Sequence, residues 1–236
     1  MTVKTVKAGK IILISIDTLR ADHLGCYGYK RPTSPNIDRL ASDGQIYPYA
    51  FSPSSYTVPV HTSILTGFYP ANHDIGFSQK TTRRLDLDAT LLIQEILRDV
   101  GYLTGAFVSS FVLRKDWGLN HGFDIYDDRM TSSETNRPSE LLRDGVETTG
   151  VALEWISKNK TENLFVWLHY FDVHGPYTTR PGLADPFKPA DYGDSPVLLN
   201  KVNDGQPGGI PEYQLLDVIR DEGGEILSYQ KDIRTW

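Results

Sequence analysis

Residues Ile11 to Ile16 form an almost unbroken apolar run that stops at Asp17. A short apolar run without polar alternation reads as a strand buried on both faces, as in the interior of a parallel sheet. Two more such runs follow, Thr104 to Ser109 and Leu164 to Tyr170. Between them lie segments with helical spacing: Asn36 to Ser42, Ala89 to Val100 (stopped by Gly101), and Leu141 to Lys158, with Val146, Leu153 and Ile156 on one side. Strands alternating with helices predict a three-layer α/β/α sandwich around a mostly parallel sheet. Gly175 to Gly209, rich in Pro, Gly and Asp, reads as surface loops around an entrance, and Tyr213 to Trp236 as helical with a break at Gly223-Gly224.

In sheets of this kind ligands sit beyond the carboxyl ends of the strands. Asp17 follows the first strand at such an end; Asp172 and His174 follow the third. A carboxylate closing a buried strand is costly unless it is paired, metal-bound or capping a helix. A second polar segment is Ser54-Ser55-Tyr56-Thr57-Val58-Pro59-Val60-His61-Thr62-Ser63-Ile64-Leu65-Thr66-Gly67. Pro59 suits the first turn of a helix and Gly67 its stop, which sets Thr57 at the helix N-terminus, where free amides favour an anion. An isolated Thr-x-Pro would be no more than an N-cap. Beside a divalent cation, the same hydroxyl becomes a nucleophile.

Charge and length exclude several classes. With 236 residues the chain can bury one large core, and a net charge of −6 leaves no basic stripe for nucleic acid. The adjacent Arg83 and Arg84 read as solvated surface. One cysteine, Cys26, rules out an internal disulfide. The apolar run after Lys10 is too short for a secretory signal or a spanning helix, so no membrane segment and a cytoplasmic location are expected.

Four segments together resemble the sulfatase family of the alkaline-phosphatase superfamily. They are Ile12 to Gly28 with Pro32 to Ala41; Ser54 to Pro70; Gly101 to Ser110 with Gly122-Phe123-Asp124; and His169-Tyr170-Phe171-Asp172-Val173-His174-Gly175-Pro176-Tyr177. The resemblance implies an alkaline-phosphatase-like fold, hydrolysis of a small-molecule or glycan sulfate or phosphate ester, and a divalent metal. It places Asp17 as a metal ligand, Thr57 as nucleophile and further ligand, and His174 at the transferred group or the leaving oxygen. His61 falls on the motif's arginine. His169 alternates with Trp167 along a strand and reads as packing, while Asp172 is a weaker candidate for orienting His174 or touching the metal.

Three departures narrow the reading. Thr18 stands where many sulfatases have a second ligand Asp, which favours zinc or manganese over the usual calcium. Thr57 replaces the Cys or Ser that is oxidised to formylglycine, and threonine cannot form that aldehyde. His61 replaces an anion-binding arginine. Thr-x-Pro-x-His resembles instead the phosphodiesterase and phosphonate-cleaving branches, in which unmodified threonine attacks directly. The family's later Asp-His-Gly strand has no counterpart here. The chain is therefore expected to be the N-terminal part of a catalytic domain (10–178 core motifs, 179–212 loops, 213–236 the start of a helix), the alternative being a non-catalytic homologue.

Overall fold

The computed structural model describes residues 9–75, 85–87, 90–134, 139–175, 216–220 and 226–230. The chain divides into two compact units: Met1–Ser132 with Leu141–Asp172, and Ser133–Glu140 with Val173–Trp236. In chain order the elements are β1 (Lys10–Ile16), α1 (Pro35–Asp43), α2 (Thr57–Thr66), α3 (Pro70–His73), α4 (Ile93–Asp99), β2 (Leu103–Val108) and β3 (Ile125–Asp127). There follow the two-residue strands β4 (Ser132–Ser133) and β5 (Leu141–Leu142), then α5 (Gly145–Lys158), β6 (Leu164–Tyr170), β7 (Leu216–Arg220) and β8 (Ile226–Gln230). Among the described residues, no helix is long and apolar enough to cross a membrane.

The first unit is built on a four-stranded sheet in the order β1-β6-β2-β3, with every pairing parallel. Side chains alternate across it, so each strand feeds two cores. On one face Phe107, Leu164, Val166 and Leu168 pack with Ala152 of α5, flanked by Val151, Trp155 and Ile156. On the other, Ala106, Val108 and Trp167 pack with Leu65 of α2, Leu92 and Leu113, with Leu13 and Val58 against them. The predicted α/β/α layering is the architecture of this unit. Each fully buried Leu, Val or Phe contributes about 1.5–3 kcal/mol relative to exposure.

Three expectations are corrected. Among the described residues β1 is not covered on both faces: it forms one end of their four-stranded sheet, and Ile11, Ile12 and Ile14 are 40%, 50% and 51% exposed. α5 lies over β2 and β6 instead and leaves that end strand open. Within α5, Val146 and Leu153 face outward while Ala152 is buried. That helix also begins later than expected, because Asp144 caps it by accepting the Val146 amide at 2.7 Å. Finally, Tyr213 to Trp236 is not helical over its described part: β7 and β8 pair antiparallel. The 179–212 loop region lies outside the described residues.

The Gly-Phe-Asp motif proves structural. Asp124 Oδ2 accepts the Thr104 amide at 2.7 Å, and Thr104 Oγ1 lies 3.1 Å from the Gly122 carbonyl. Phe123 stacks on Phe165 with centroids 5.8 Å apart. Gly122 has φ +83°, and a Cβ there would collide with the Glu95 side chain. Gly122→Ala is accordingly expected to cost about 1–3 kcal/mol in urea unfolding, through backbone strain and overpacking together.

Candidate functional site

β1 delivers Asp17 to the carboxyl edge of the sheet. The Asp17 amide still donates to the Tyr170 carbonyl at 2.9 Å, so the ladder with β6 holds its backbone to the end. The chain then turns through Thr18 at φ 58°. Left-handed backbone is unfavourable for a β-branched residue, and such strain costs about 1–3 kcal/mol. The next turns are clasped by the Pro32 to Ala41 segment. Ser34 Oγ accepts the Gly25 amide at 2.9 Å, and Asp38 Oδ1 accepts the Cys26 amide at 2.8 Å. That segment braces the loop rather than reaching the site.

α2 delivers Thr57. Tyr56 is extended, Thr57 opens the helix, and Gly67 closes it at φ +74°. The amides of a first turn lack intrahelical acceptors, so the dipole's positive end lies at Thr57. Thr57 Oγ1 donates to Asp17 Oδ2 at 2.8 Å, joining residues 40 positions apart.

Two histidines lie behind this pair. His169 is fully buried, with Nε2 3.6 Å from the same Asp17 oxygen, an electrostatic contact longer than a hydrogen bond. His61 meets the His169 ring edge-on with centroids 4.9 Å apart. Burial pushes the Asp17 carboxyl up, but the neighbouring His169 and Thr57, aided by His61, outweigh it and hold the group below the usual carboxylate range. Asp17 is therefore an anion at neutral pH and a weak base. It can orient a hydroxyl and hold a cation, but not strip a proton from an alcohol.

His61 makes no approach to the open edge. Its Nδ1 is 2.7 Å from the Thr57 carbonyl and its Nε2 is 3.0 Å from Ser15 Oγ. Burial first, then the neighbouring His169, lowers it from 6.5 to about 4, with Thr57 and Asp17 opposing. The unfolded chain thus takes up the proton first. The stability that neutral His61 supplies is present above pH 6.5 and is lost as the pH falls through about 4. A loss of ~3 kcal/mol across that window is expected in urea unfolding, with a flatter profile in His61→Gln.

The remaining candidates have other partners. Asp172 Oδ1 accepts the Gly145 amide at 3.1 Å, at the start of α5. His73 is buried, accepting the Ile75 amide at 3.1 Å and lying 3.1 Å from Ser63 Oγ. His23 lies 3.0 Å from Asp22 and His121 3.1 Å from Glu95. His174 belongs to the second unit, where its Nδ1 is 2.7 Å from the Gly175 carbonyl. The sequence takes His169 for a packing residue and gives Ser15 no role. The signal lay in register, since β1 and β6 pair Ser15 with His169. Among the described residues no three His, Cys, Asp or Glu side chains converge as a metal site. Asp17 and Thr57 do not by themselves complete one.

The chain thus carries an α/β fold on a parallel sheet, with Asp17 and Thr57 paired at its carboxyl edge. It belongs to the sulfatase family, whose profile matches residues 10–199. Over 96 residues it is 32% identical to N-acetylgalactosamine-6-O-sulfatase of Bacteroides thetaiotaomicron, covering 40% of this chain and 19% of that protein. Over 98 residues it is 36% identical to human arylsulfatase A, covering 40% and 19%. In fold it resembles a protein solved with its substrate D-glucosamine-2-N,6-O-disulfate (TM-score 0.60, 17% identity, 74% of this chain and 36% of that one). It likewise resembles the phosphonate monoester hydrolase of Agrobacterium radiobacter (TM-score 0.56, 17% identity, 75% and 43%). The chain spans less than half the length of these relatives. Sulfatase family members use a divalent metal ion.

Proposed function

We propose that the protein containing this chain hydrolyses a sulfate ester, with Thr57 as the nucleophile. The observation that carries the reading is the 2.8 Å hydrogen bond from Thr57 Oγ1 to Asp17 Oδ2 at the N-terminus of α2. Thr57 Oγ attacks sulfur in line as its proton passes to solvent, the bond from sulfur to the alcohol oxygen breaks, and that oxygen leaves with a proton from water. Water then cleaves the Thr57 sulfate ester, releasing sulfate and restoring the hydroxyl. Asp17 fixes the hydroxyl's direction, and the first-turn amides of α2 favour the anionic group. Asp17 and Thr57 are the oxygen donors that this chain offers to the family's divalent ion. The substrate class is a small-molecule or glycan ester, in keeping with the disulfated glucosamine bound by one structural neighbour.

A second reading is cleavage of a phosphodiester or phosphonate ester. It is favoured by the unmodified hydroxyl of Thr57 and by His61, which faces Ser15 where an anion-binding arginine would be expected. One experiment separates the two. Turnover of p-nitrophenyl sulfate and bis(p-nitrophenyl) phosphate is compared, with metal content measured on the same sample and Thr57 examined by mass spectrometry after acid quench. Sulfate on Thr57 supports the first reading and phosphate the second. Turnover with an unmodified Thr57 at every quench time, and with Thr57→Ala as active as wild type, would sink both.

A further inference from the structure

Ser15 has no part in the reaction just described, yet the groups behind Thr57 converge on it. Its Oγ receives the indole N–H of Trp167 at 3.1 Å and lies 3.0 Å from His61 Nε2. His61 Nδ1 lies 2.7 Å from the Thr57 carbonyl oxygen. Chemistry fixes every direction in this chain of contacts. A carbonyl only accepts, so Nδ1 carries a proton. A neutral imidazole has one N–H, and with that proton on Nδ1 its Nε2 is a bare acceptor facing Ser15. An indole N–H only donates, so the Ser15 hydroxyl accepts from Trp167 and gives its own hydrogen to His61.

We infer that Ser15 is a positioning residue for Thr57: through His61 it locks the imidazole tautomer that grips the Thr57 carbonyl, and so fixes the first turn of α2 against Asp17. This inference rests on Thr57 being the nucleophile. Three features carry it. Ser15 and Asp17 leave β1 on the same face, two residues apart, so one strand end aligns both the carboxylate and the brace. Trp167 is fully buried and pinned by its ring neighbours, at 5.5 Å from His61 and 6.2 Å from Phe123, so the indole end of the relay is held in place. His61 and Thr57 are one helical turn apart, so the ring reaches back to the carbonyl with its helix intact. Without the Ser15 hydroxyl, the Thr57 carbonyl alone favours the proton on Nδ1, and the bare Nε2 loses the donor that stabilises that tautomer. The opposite tautomer would then set a bare nitrogen against the carbonyl, repelling it.

The test reads the tautomer and the rate separately. In protein labelled with 15N-histidine, long-range proton–nitrogen correlation is expected to show His61 with a protonated Nδ1 and a bare Nε2. Ser15→Ala should shift the ring towards a mixture of tautomers. On whichever of the two p-nitrophenyl esters the enzyme turns over, kcat should fall about 10- to 100-fold with KM little changed, the signature of a misplaced reacting group. Ser15→Thr, which keeps the hydroxyl, should restore both readouts. A wild-type His61 protonated on Nε2 overturns the inference, even if Ser15→Ala does not fold. So does Ser15→Ala with unaltered tautomer and kcat. Thr57→Ala is measured alongside: full activity there defeats the nucleophile reading, whereas loss there with an unchanged Ser15→Ala defeats only this one.

Discussion

Replacing Thr57 by alanine is expected to lower turnover by about 10^4-fold or more, the scale seen when the nucleophile of an enzyme is removed. The argument is geometric. The Oγ1 of Thr57 lies at the positive end of α2 and donates to Asp17 Oδ2 at 2.8 Å, while His169, 3.6 Å from the same oxygen, is fully buried and cannot reach a substrate. His61 is turned inward to Ser15 and the Thr57 carbonyl. Once the hydroxyl is gone, neither Asp17 nor the two inward-turned histidines replaces it as the attacking group. Folding should survive, because one partly buried hydrogen bond contributes about 0.5–1.5 kcal/mol. Thr57→Ser keeps the oxygen and should retain most of the turnover. Steady-state kinetics with a urea melt on each variant checks both halves; an active alanine variant would remove Thr57 from the mechanism.

The second large effect is on stability. Arg143→Leu is expected to destabilise the first unit by about 3–5 kcal/mol, the cost of leaving a buried charge unpaired. Arg143 is 1% exposed, and its Nη1 donates to Asp127 Oδ1 at 2.6 Å. Its Nη2 reaches the Val108 and Asp127 carbonyls at 3.1 and 3.3 Å, and its Nε meets Thr148 Oγ1 at 3.0 Å. One guanidinium thus ties the ends of β2 and β3 to the first turns of α5. Burial raises the Asp127 carboxyl, but Arg129 and Arg143 more than offset this and keep it below the ordinary carboxylate range. Arg129 alone, 73% exposed, is a poor substitute. Replacing Asp127 as well should recover part of the loss, since no orphaned charge remains. A double-mutant cycle in urea checks this; a double variant no better than the single would mean that the carbonyls matter more than the charge.

Val108 also pairs with His169 across β2 and β6, so the Arg143 cluster anchors the sheet beside the site. Neither Arg143 nor Asp127 stood out in the sequence. Asp127 reads there as one of several acidic residues after Gly122, and Arg143 lies inside a stretch with helical spacing. Their meaning comes from two loops meeting beneath one helix start, which local pattern does not encode.

The sequence by itself determined what depends on near neighbours. Thr57, Pro59 and Gly67 set the start and stop of α2, because helix termini are specified by residues a turn apart. The apolar runs defined β1, β2 and β6 to within a residue or two, and the halt at Asp17 marked the edge where the site forms. Only the tertiary structure decided the rest. It made β1 an end strand of the described four-stranded sheet, turned Tyr213–Trp236 into a strand pair over its described part, and revealed His169 and Ser15 beside the carboxylate. Those outcomes rest on parallel pairing between segments about 150 residues apart, as in the Trp167 to Ser15 hydrogen bond with its separation of 152. Register of that kind is fixed by packing and backbone hydrogen bonds across the whole sheet, and no local stretch of the chain contains it.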